Sequence, residues 1–474
     1  MAHYLYDLTI IGGGSGGLTA ARIATSLGAN VLLIDKERLG GDCLHYGCVP
    51  SKALIHVAHV AQQARHAARL GLLPTGLSVD MAKVSQHIQE VIRRVAANEQ
   101  VYIEGVTVRF GTVSFASAHE LVLNEEHITS RNILIATGSR PLVPRIEGLE
   151  EVGYLTNEDA FDLQHLPASL IVVGGGPIGV ELGQAFARLG SNVTILEGLE
   201  RILPREDPEV SAALTGVLQS EHMTIVTNAM FVKASLGGQQ KVVTARQGDR
   251  LLTFEADEIL VTLGRRPNVE GLNLEAAGVT CDHQGIKVDA YLQTTASHIL
   301  AIGDVLGGYL FTHVAAYQAG VAVRNALVPV GKKKVDYRVI PWCTFTDPEA
   351  ARIGLTPGEA VKQYKDIRVV RLPWAEIDRA QAEGETTGFI KLVLAGKKDE
   401  IVGAHIVGSR AGELLGELSL AMQHHLTLSD ILDTMHAYPT MHTGIQQAVF
   451  EEYVEGSAAR SNRKIVQTVL SLRR

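Results

Sequence analysis

Apolar positions along this chain fall into two patterns, short unbroken runs and helical stripes. Tyr6-Asp7-Leu8-Thr9-Ile10-Ile11 reads as an apolar strand. It runs through glycines into LTAARIATSLG, whose Leu18, Ala21, Ile23 and Ala24 mark an apolar helix face. VLLID follows as a buried-type strand ending at Asp35. The same strand, helix and strand return in SLIVVGGGPIGVELGQAFARLGSNVTILE, which ends at Glu197. Residues 71–106 read as a long amphipathic helix with a turn before it, and THVAAYQAG, from Thr312 to Gly320, reads as a helix start. Beyond about Val335, FIKLVLA and IVGAHIVG read as strands. Strands alternating with helices predict an α/β protein.

Length and composition sharpen this. A chain of 474 residues exceeds one ordinary core, so two to four domains are expected at about 100–200 residues each. With 46% hydrophobic and 20% charged residues, disorder is excluded as the main state. Gly outnumbers Pro by 47 to 15, which suits tight strand-to-helix turns. A net charge of −8 argues against nucleic acid as the partner. Four Cys cannot build a secreted-type disulfide framework. The sequence opens at a strand without a leader pattern, and no run of 18 apolar residues occurs, so a cytoplasmic protein without a membrane span is expected.

The first glycine cluster spells G-x-G-x-x-G at Gly12, Gly14 and Gly17, between an apolar strand and a helix. Gly12 allows the tight turn, Gly14 lets the backbone approach a pyrophosphate, and Gly17 permits close helix–strand packing. The helix N-terminus offers amide donors and partial positive charge, and Asp35 can accept from a ribose hydroxyl. The second copy carries Gly174, Gly176, Gly179 and Glu197, and first glycine to terminal acid is 23 positions in both (12 to 35, 174 to 197). Two dinucleotides on one chain are the expectation. A carboxylate at Glu197 favours NADH over NADPH by repelling a 2′-phosphate, although Arg201 and Arg205 follow closely.

Between the two motifs lies GGDCLHYGCVPSK, a C-x-x-x-x-C pair at Cys43 and Cys48. Zinc would need about four ligands, and Cys281 and Cys343 stand apart. Inert buried thiols are the ordinary reading of an arbitrary pair. A redox pair is the third, and a dithiol beside a flavin-type dinucleotide site gives a hydride a route out of the flavin.

GGDCLHYGCVPSK resembles the redox-active signature of the class I pyridine nucleotide-disulfide oxidoreductases, which include dihydrolipoamide dehydrogenase, glutathione reductase and mercuric reductase. Ile135-Ala136-Thr137-Gly138 resembles the family's return strand from the first dinucleotide domain, Thr262 to Asn268 (with Gly264) the end of the second, and Ala301-Ile302-Gly303-Asp304 the second FAD motif. The resemblance implies FAD and NAD(P)H as cofactors. Cys48 would be the thiol nearest the flavin and Cys43 the interchange thiol. Lys52 and Glu181 would pair beside the flavin, Asp304 would hold the ribityl chain, and Thr137, Gly138 and Ala315 would line the FAD site. It also implies a homodimer whose active site borrows the Tyr438 region of the second subunit.

The sequence departs from dihydrolipoamide dehydrogenases at His436-Ala437-Tyr438-Pro439-Thr440-Met441-His442-Thr443. Those enzymes resemble H-x-H-P-T-x-x-E there; here Tyr438 stands at the second His and Thr443 at the Glu. A phenol of pKa about 10 is a poor base at neutral pH. A soft metal ion bound by thiolates has no thiol leaving group to protonate, and mercuric reductases resemble this chain in carrying Tyr. ARLGSNVTILE, PREDPE, FTDPEAARIG and TTGFIKLV also look nearer that branch, whereas its C-terminal vicinal Cys pair and N-terminal metal-binding module are missing from this sequence. His442, four residues after Tyr438, would share a face with it on a helix and could replace the missing base.

The expected architecture is two Rossmann-like dinucleotide-binding domains plus a C-terminal α+β dimerisation domain. The first part of the FAD domain spans 1–148, the NAD(P) domain 149–270, the FAD return segment 271–335, the dimerisation domain 336–458, and a basic tail 459–474. The expected activity is an oxidoreductase passing two electrons from NAD(P)H through flavin and Cys43–Cys48 to a small-molecule or metal-ion acceptor, a thiophilic ion or quinone. Dihydrolipoamide dehydrogenase, or a flavin-bound redox sensor or complex component, is the alternative.

Overall fold

The computed structural model describes residues 4–73, 76–99, 103–455, 467, 468 and 470–472. Two compact units emerge: residues 1–196 with 229–336, and residues 197–228 with 337–474. Most of the expected tail 459–474 lies outside the described residues.

In the first unit the apolar runs form a parallel sheet. Tyr6–Ile11 lies between Val31–Asp35 and Glu126–Ile135, with Thr107–Phe110 beyond Val31–Asp35 and Ile299–Ala301 also on Glu126–Ile135. The pleat sends neighbours to opposite faces. Leu8, Ile10, Val31 and Leu33 join the core with Leu18, Ala21 and Ala24 of the helix Ser15–Ser26 and Ala319, Ala322 and Val323 of the helix Thr312–Leu327. Ile11, Leu32, Ile34, Ile133 and Ile135 join the opposite core with Phe115 and Leu121. The amphipathic stretch forms a helix over Met81–Glu99, burying Met81, Ser85, Ile88 and Ile92 at helical spacing.

The second dinucleotide motif repeats the plan. Ser169–Val173 runs parallel between Asn192–Leu196 and Glu258–Val261, and the helix Pro177–Leu189 follows the glycines. Strands Met230–Gly237, Gln240–Gln247 and Arg250–Ala256 form an antiparallel meander.

The second unit is built on a five-stranded antiparallel sheet, in the order Pro341–Thr344, Glu349–Gly354, Glu400–Gly408, Phe389–Ala395, Ile367–Pro373. Ile390, Leu392, Ala404 and Ile406 join a core with Leu414 and Leu418 of the helix Ala411–Gln423 and Ile445, Ala448 and Val449 of the helix Thr443–Glu455. A cross-strand row, Arg352–His405–Lys391, is polar instead. PREDPE meets that row: buried Lys391 sits 2.9 Å from Asp207 Oδ1 and 2.8 Å from Glu209 Oε1. Asp207 also caps the helix Pro208–Ser220 by accepting the Glu209 amide at 2.9 Å. Lys391 bonding and the amide hold the Asp207 carboxyl below its ordinary pKa against the opposing effect of burial. Residues 197–228 thus belong with the C-terminal sheet although the sequence order places them in the second dinucleotide module.

Because Lys391 is 3% exposed, Lys391→Met leaves a buried carboxylate uncompensated and is expected to cost about 3–5 kcal/mol. Chemical denaturation of the variant beside Asp207→Asn/Lys391→Met, which restores part of the loss, checks this.

Candidate functional site

The two glycine turns share one geometry. Gly12 and Gly174 adopt φ of 108° and 111°, a region that favours glycine. Each turn presses on the residue after its return strand: a Cβ at Gly12 would strike the Ala136 carbonyl, and one at Gly174 would stand 2.6 Å from the Thr262 carbonyl oxygen. A Cβ at Gly17 or Gly179 would strike the carbonyl of Gly12 or Gly174, so each helix lies directly on its turn. Gly14 and Gly176 begin the helices in extended conformation without side-chain caps. Around them is room: a Cβ at Gly176 would meet nothing within 4 Å, and at Gly14 only the Gly41 Cα at 3.8 Å. Open glycine backbone before an uncapped helix N-terminus fits a pyrophosphate in both places.

Asp35 does more than await a ribose. Its Oδ2 accepts the Gly13 amide at 2.7 Å, and its Oδ1 accepts the Glu37 and Arg38 amides at 3.0 and 3.1 Å. Glu197 similarly accepts the Leu199 amide at 2.8 Å.

The cysteine segment rests on the first turn. The Gly40 amide donates to the Gly13 carbonyl at 2.8 Å, and a Cβ at Gly41 would stand 2.8 Å from the Gly14 Cα. Cys43 lies in the short helix Gly41–His45, half-buried, and Cys48 opens the helix Cys48–His66. Both are free thiols. Cys48 Sγ is 3.4 Å from Thr312 Oγ1, at the first residue of the helix Thr312–Leu327. Two helix N-termini therefore face this sulfur, an arrangement that favours its anion. The Cys43 thiol, donating to Cys48, holds Cys48 down at about 6, helped by Thr312 and the Lys52 charge against burial. The same hydrogen bond, with burial, pushes Cys43 far up.

One turn beyond Cys48, Lys52 Nζ lies 2.8 Å from Glu181 Oε2, on the helix of the second motif, and Glu181 is buried. The cysteine helix and the second dinucleotide helix are thus joined by an ion pair. Thr137 Oγ1 donates to the Asn268 carbonyl at 2.7 Å, while Asn268 Nδ2 donates to the Thr137 carbonyl at 3.0 Å. Gly138 and Gly264 lie where these segments meet, each with open space around its Cα. Asp304 accepts from Ser139 Oγ at 2.7 Å, and burial raises its carboxyl. Ala315 Cβ packs 3.3 Å from where Cβ atoms of Gly16 and Gly303 would lie, which brings its helix onto the first turn. The first unit therefore gathers Gly12, Gly14, Gly17, Asp35, Cys43, Cys48, Lys52, Thr137, Gly138, Glu181, Asp304 and Ala315.

In the second unit the expected Tyr438–His442 pairing on one helix face does not form. The helix starts only at Thr443, and residues 435–442 are non-helical because Pro439 interrupts them. Tyr438 is exposed, and its hydroxyl donates to Asp378 Oδ2 at 3.0 Å, which raises the phenol pKa further. His442 instead pairs with Glu417: Nδ1 is 3.2 Å from Oε2, while His436 Nε2 is 2.7 Å from Oε1. Glu417 lies on the helix Ala411–Gln423, 25 residues before His442, a separation at which no sequence spacing could reveal it.

Comparisons with known proteins agree with this geometry. Residues 6–320 match the family described as pyridine nucleotide-disulphide oxidoreductase, and residues 340–449 match that family's dimerisation domain. A mercuric reductase of Staphylococcus aureus is 36% identical over 449 residues, covering 94% of this chain and 82% of that protein. A dihydrolipoyl dehydrogenase of Geobacillus stearothermophilus is 36% identical over 443 residues, covering 92% and 93%. The solved structure of the HOCl-induced flavoprotein disulfide reductase RclA from Escherichia coli matches with TM-score 0.84 at 30% identity, over 94% of this chain and 99% of that one. Its Cu(II) complex matches with TM-score 0.83 at 30% identity, over 93% and 98%.

With Cys48 titrating near 6, its thiolate is present above that pH and lost as pH falls through it. Mass-resolved alkylation of the reduced protein is expected to modify Cys48 at pH 7 and to slow about tenfold by pH 5. Cys43→Ala, which removes the thiol donor, moves the midpoint toward the ordinary thiol value.

Proposed function

The chain belongs to the pyridine nucleotide-disulphide oxidoreductase family, and from that premise we propose that it reduces a thiophilic metal ion at Cys43 and Cys48. The family is FAD-dependent and uses NAD(P)H. Bound FAD supplies the two-electron link between nicotinamide and the cysteine pair. The Gly12–Gly17 turn and Asp304 would hold it, and the Gly174–Gly179 turn with Gly264 would hold the nicotinamide nucleotide. Glu197, at the position where a carboxylate repels a 2′-phosphate, favours NADH. The working unit in this reading is a cytoplasmic homodimer, in keeping with the match to the dimerisation domain.

Two electrons and two protons convert the Cys43–Cys48 disulfide to the dithiol. Reoxidation to the disulfide returns both electrons, to one ion reduced by two charges or to two ions reduced by one each, and releases both protons. The single observation carrying the metal reading is the replacement of a basic imidazole by Tyr438, whose phenol is held protonated by Asp378. Soft thiolates select such ions. The Cu(II) complex of the RclA structure and the mercuric reductase relative support this acceptor class.

A second reading, dithiol exchange of the dihydrolipoamide type, draws on Glu417. A carboxylate on His442 Nδ1 orients the ring and leaves Nε2 to take a proton. If the 436–442 segment of one copy serves the cysteines of the other, His442 is that reading's base.

Anaerobic assays with NADH separate the two. Cys43→Ser is expected to abolish reduction of Cu(II) or Hg(II), and NADH is expected to be preferred over NADPH. His442→Gln is expected to leave metal-ion reduction nearly unchanged while lowering any lipoamide turnover by about 10²–10⁴-fold. Lipoamide turnover exceeding metal reduction in the unmodified protein would place the second reading first.

A further inference from the structure

The cysteine turn and the Asp304 carboxylate meet at one guanidinium. Arg265, with its side chain 10% exposed, places Nη2 3.1 Å from Asp42 Oδ2. The same nitrogen donates to the Ser139 carbonyl at 3.0 Å, and Nε donates to Ser139 Oγ at 2.7 Å. Ser139 Oγ passes the interaction on, donating to Asp304 Oδ2 at 2.7 Å, while Arg265 Nε stands 3.8 Å from that oxygen. Asp42 immediately precedes Cys43, and its Oδ2 lies 3.1 Å from where a Cβ of Gly47, the residue before Cys48, would be. Its carboxylate is therefore wedged against the turn that carries both thiols.

The guanidinium is not needed to join the segments. Arg265 already pairs with Pro141 in a short antiparallel ladder, and the Leu142 amide donates to the Gly264 carbonyl at 2.9 Å. What the side chain adds is charge and direction. Burial raises the Asp304 and Glu158 carboxyls, the Asp42 charge adds to each rise, and Arg265 opposes both. The guanidinium thus balances the half-buried Asp42 and Asp304, and the exposed Glu158 acts beside them.

We propose that Arg265 is a positioning residue of the electron-transfer site, its guanidinium aligning Asp42 under the cysteine turn and Asp304 at the cofactor as one ion cluster. This rests on the reading of Cys43 and Cys48 as the redox pair. Of the groups acting on Cys48, Cys43, Thr312 and Lys52 favour the thiolate while burial and the Asp42 charge oppose it; Arg265, Asp304 and Glu158 act on or beside Asp42. Removing the guanidinium leaves the Asp42 charge uncompensated beside Cys48, so the thiolate becomes harder to form.

The test is mass-resolved alkylation of Cys48 against pH in the reduced, FAD-loaded protein, in a cycle of Arg265→Gln, Asp42→Asn and the double variant. Arg265→Gln is expected to raise the midpoint by about half a pH unit or more, cutting the thiolate at pH 6 about twofold or more. Arg265→Lys retains most of the original profile, Asp42→Asn lowers the midpoint, and the double variant shows less than half of the Arg265→Gln shift. An equal shift in both backgrounds, or none in folded Arg265→Gln, overturns the proposal. Should Arg265→Gln not fold, an unchanged midpoint in Asp42→Asn overturns it instead. The titration needs no turnover, so failure of the redox-pair reading is seen separately, as NADH-driven acceptor reduction that survives Cys43→Ser and Cys48→Ser.

Discussion

The site depends first on a backbone contact. The Gly12 turn lies so close to the Ala136 carbonyl, and Gly17 so close to the Gly12 carbonyl, that no side chain fits between them. This brings the amide end of the helix Ser15–Ser26 to the carboxyl edge of a parallel sheet, where a pyrophosphate is best received. The cysteine segment is then laid on the same turn through Gly40 and Gly41. The glycine turn and the cysteine pair are positioned by one close-packed corner, so a shift in the turn would move both.

On that corner the electrostatics are asymmetric, and the asymmetry divides labour between the thiols. Cys48 collects two helix N-termini, the Thr312 hydroxyl, the Lys52 charge and the Cys43 donor. Cys43, as the donor of that bond and further penalised by burial, keeps its proton. A pair in which one sulfur is an anion near neutral pH and the other a thiol is poised for stepwise two-electron chemistry. The Lys52–Glu181 pair, bridging the cysteine helix to the helix of the second motif, gives both dinucleotide turns a common mechanical reference.

The second unit solves a different problem. Its sheet is apolar on the face toward Ala411–Gln423 and Thr443–Glu455, yet a row of Arg352, His405 and Lys391 crosses it. The Arg352 and Lys391 charges are tolerable because Glu359, Asp207 and Glu209 are delivered to them, while burial keeps His405 neutral. The PREDPE segment thereby has a structural explanation, in addition to any value as a family resemblance. On the same unit, Glu417 gathers His436 and His442, so a chain without the neighbouring His–Glu pair forms a His–carboxylate contact from another helix.

The sequence alone determined the repeated strand–turn–helix units, since glycine spacing and apolar runs are local and their steric demands admit few substitutes. It also placed a C-x-x-x-x-C pair close behind the first of these turns, with a redox use as one of the readings the spacing allows. Tertiary structure decided what depends on residues far apart in the chain. Asp42 with Arg265, Cys48 with Thr312, and His442 with Glu417 are separated by many residues, and their pairing follows from how strands and helices stack. It also broke the expected shared face of Tyr438 and His442, because Pro439 forbids the helix that the four-residue spacing assumed. Local sterics are written in neighbouring residues; charge compensation in a packed interior is settled only when the fold brings the partners together.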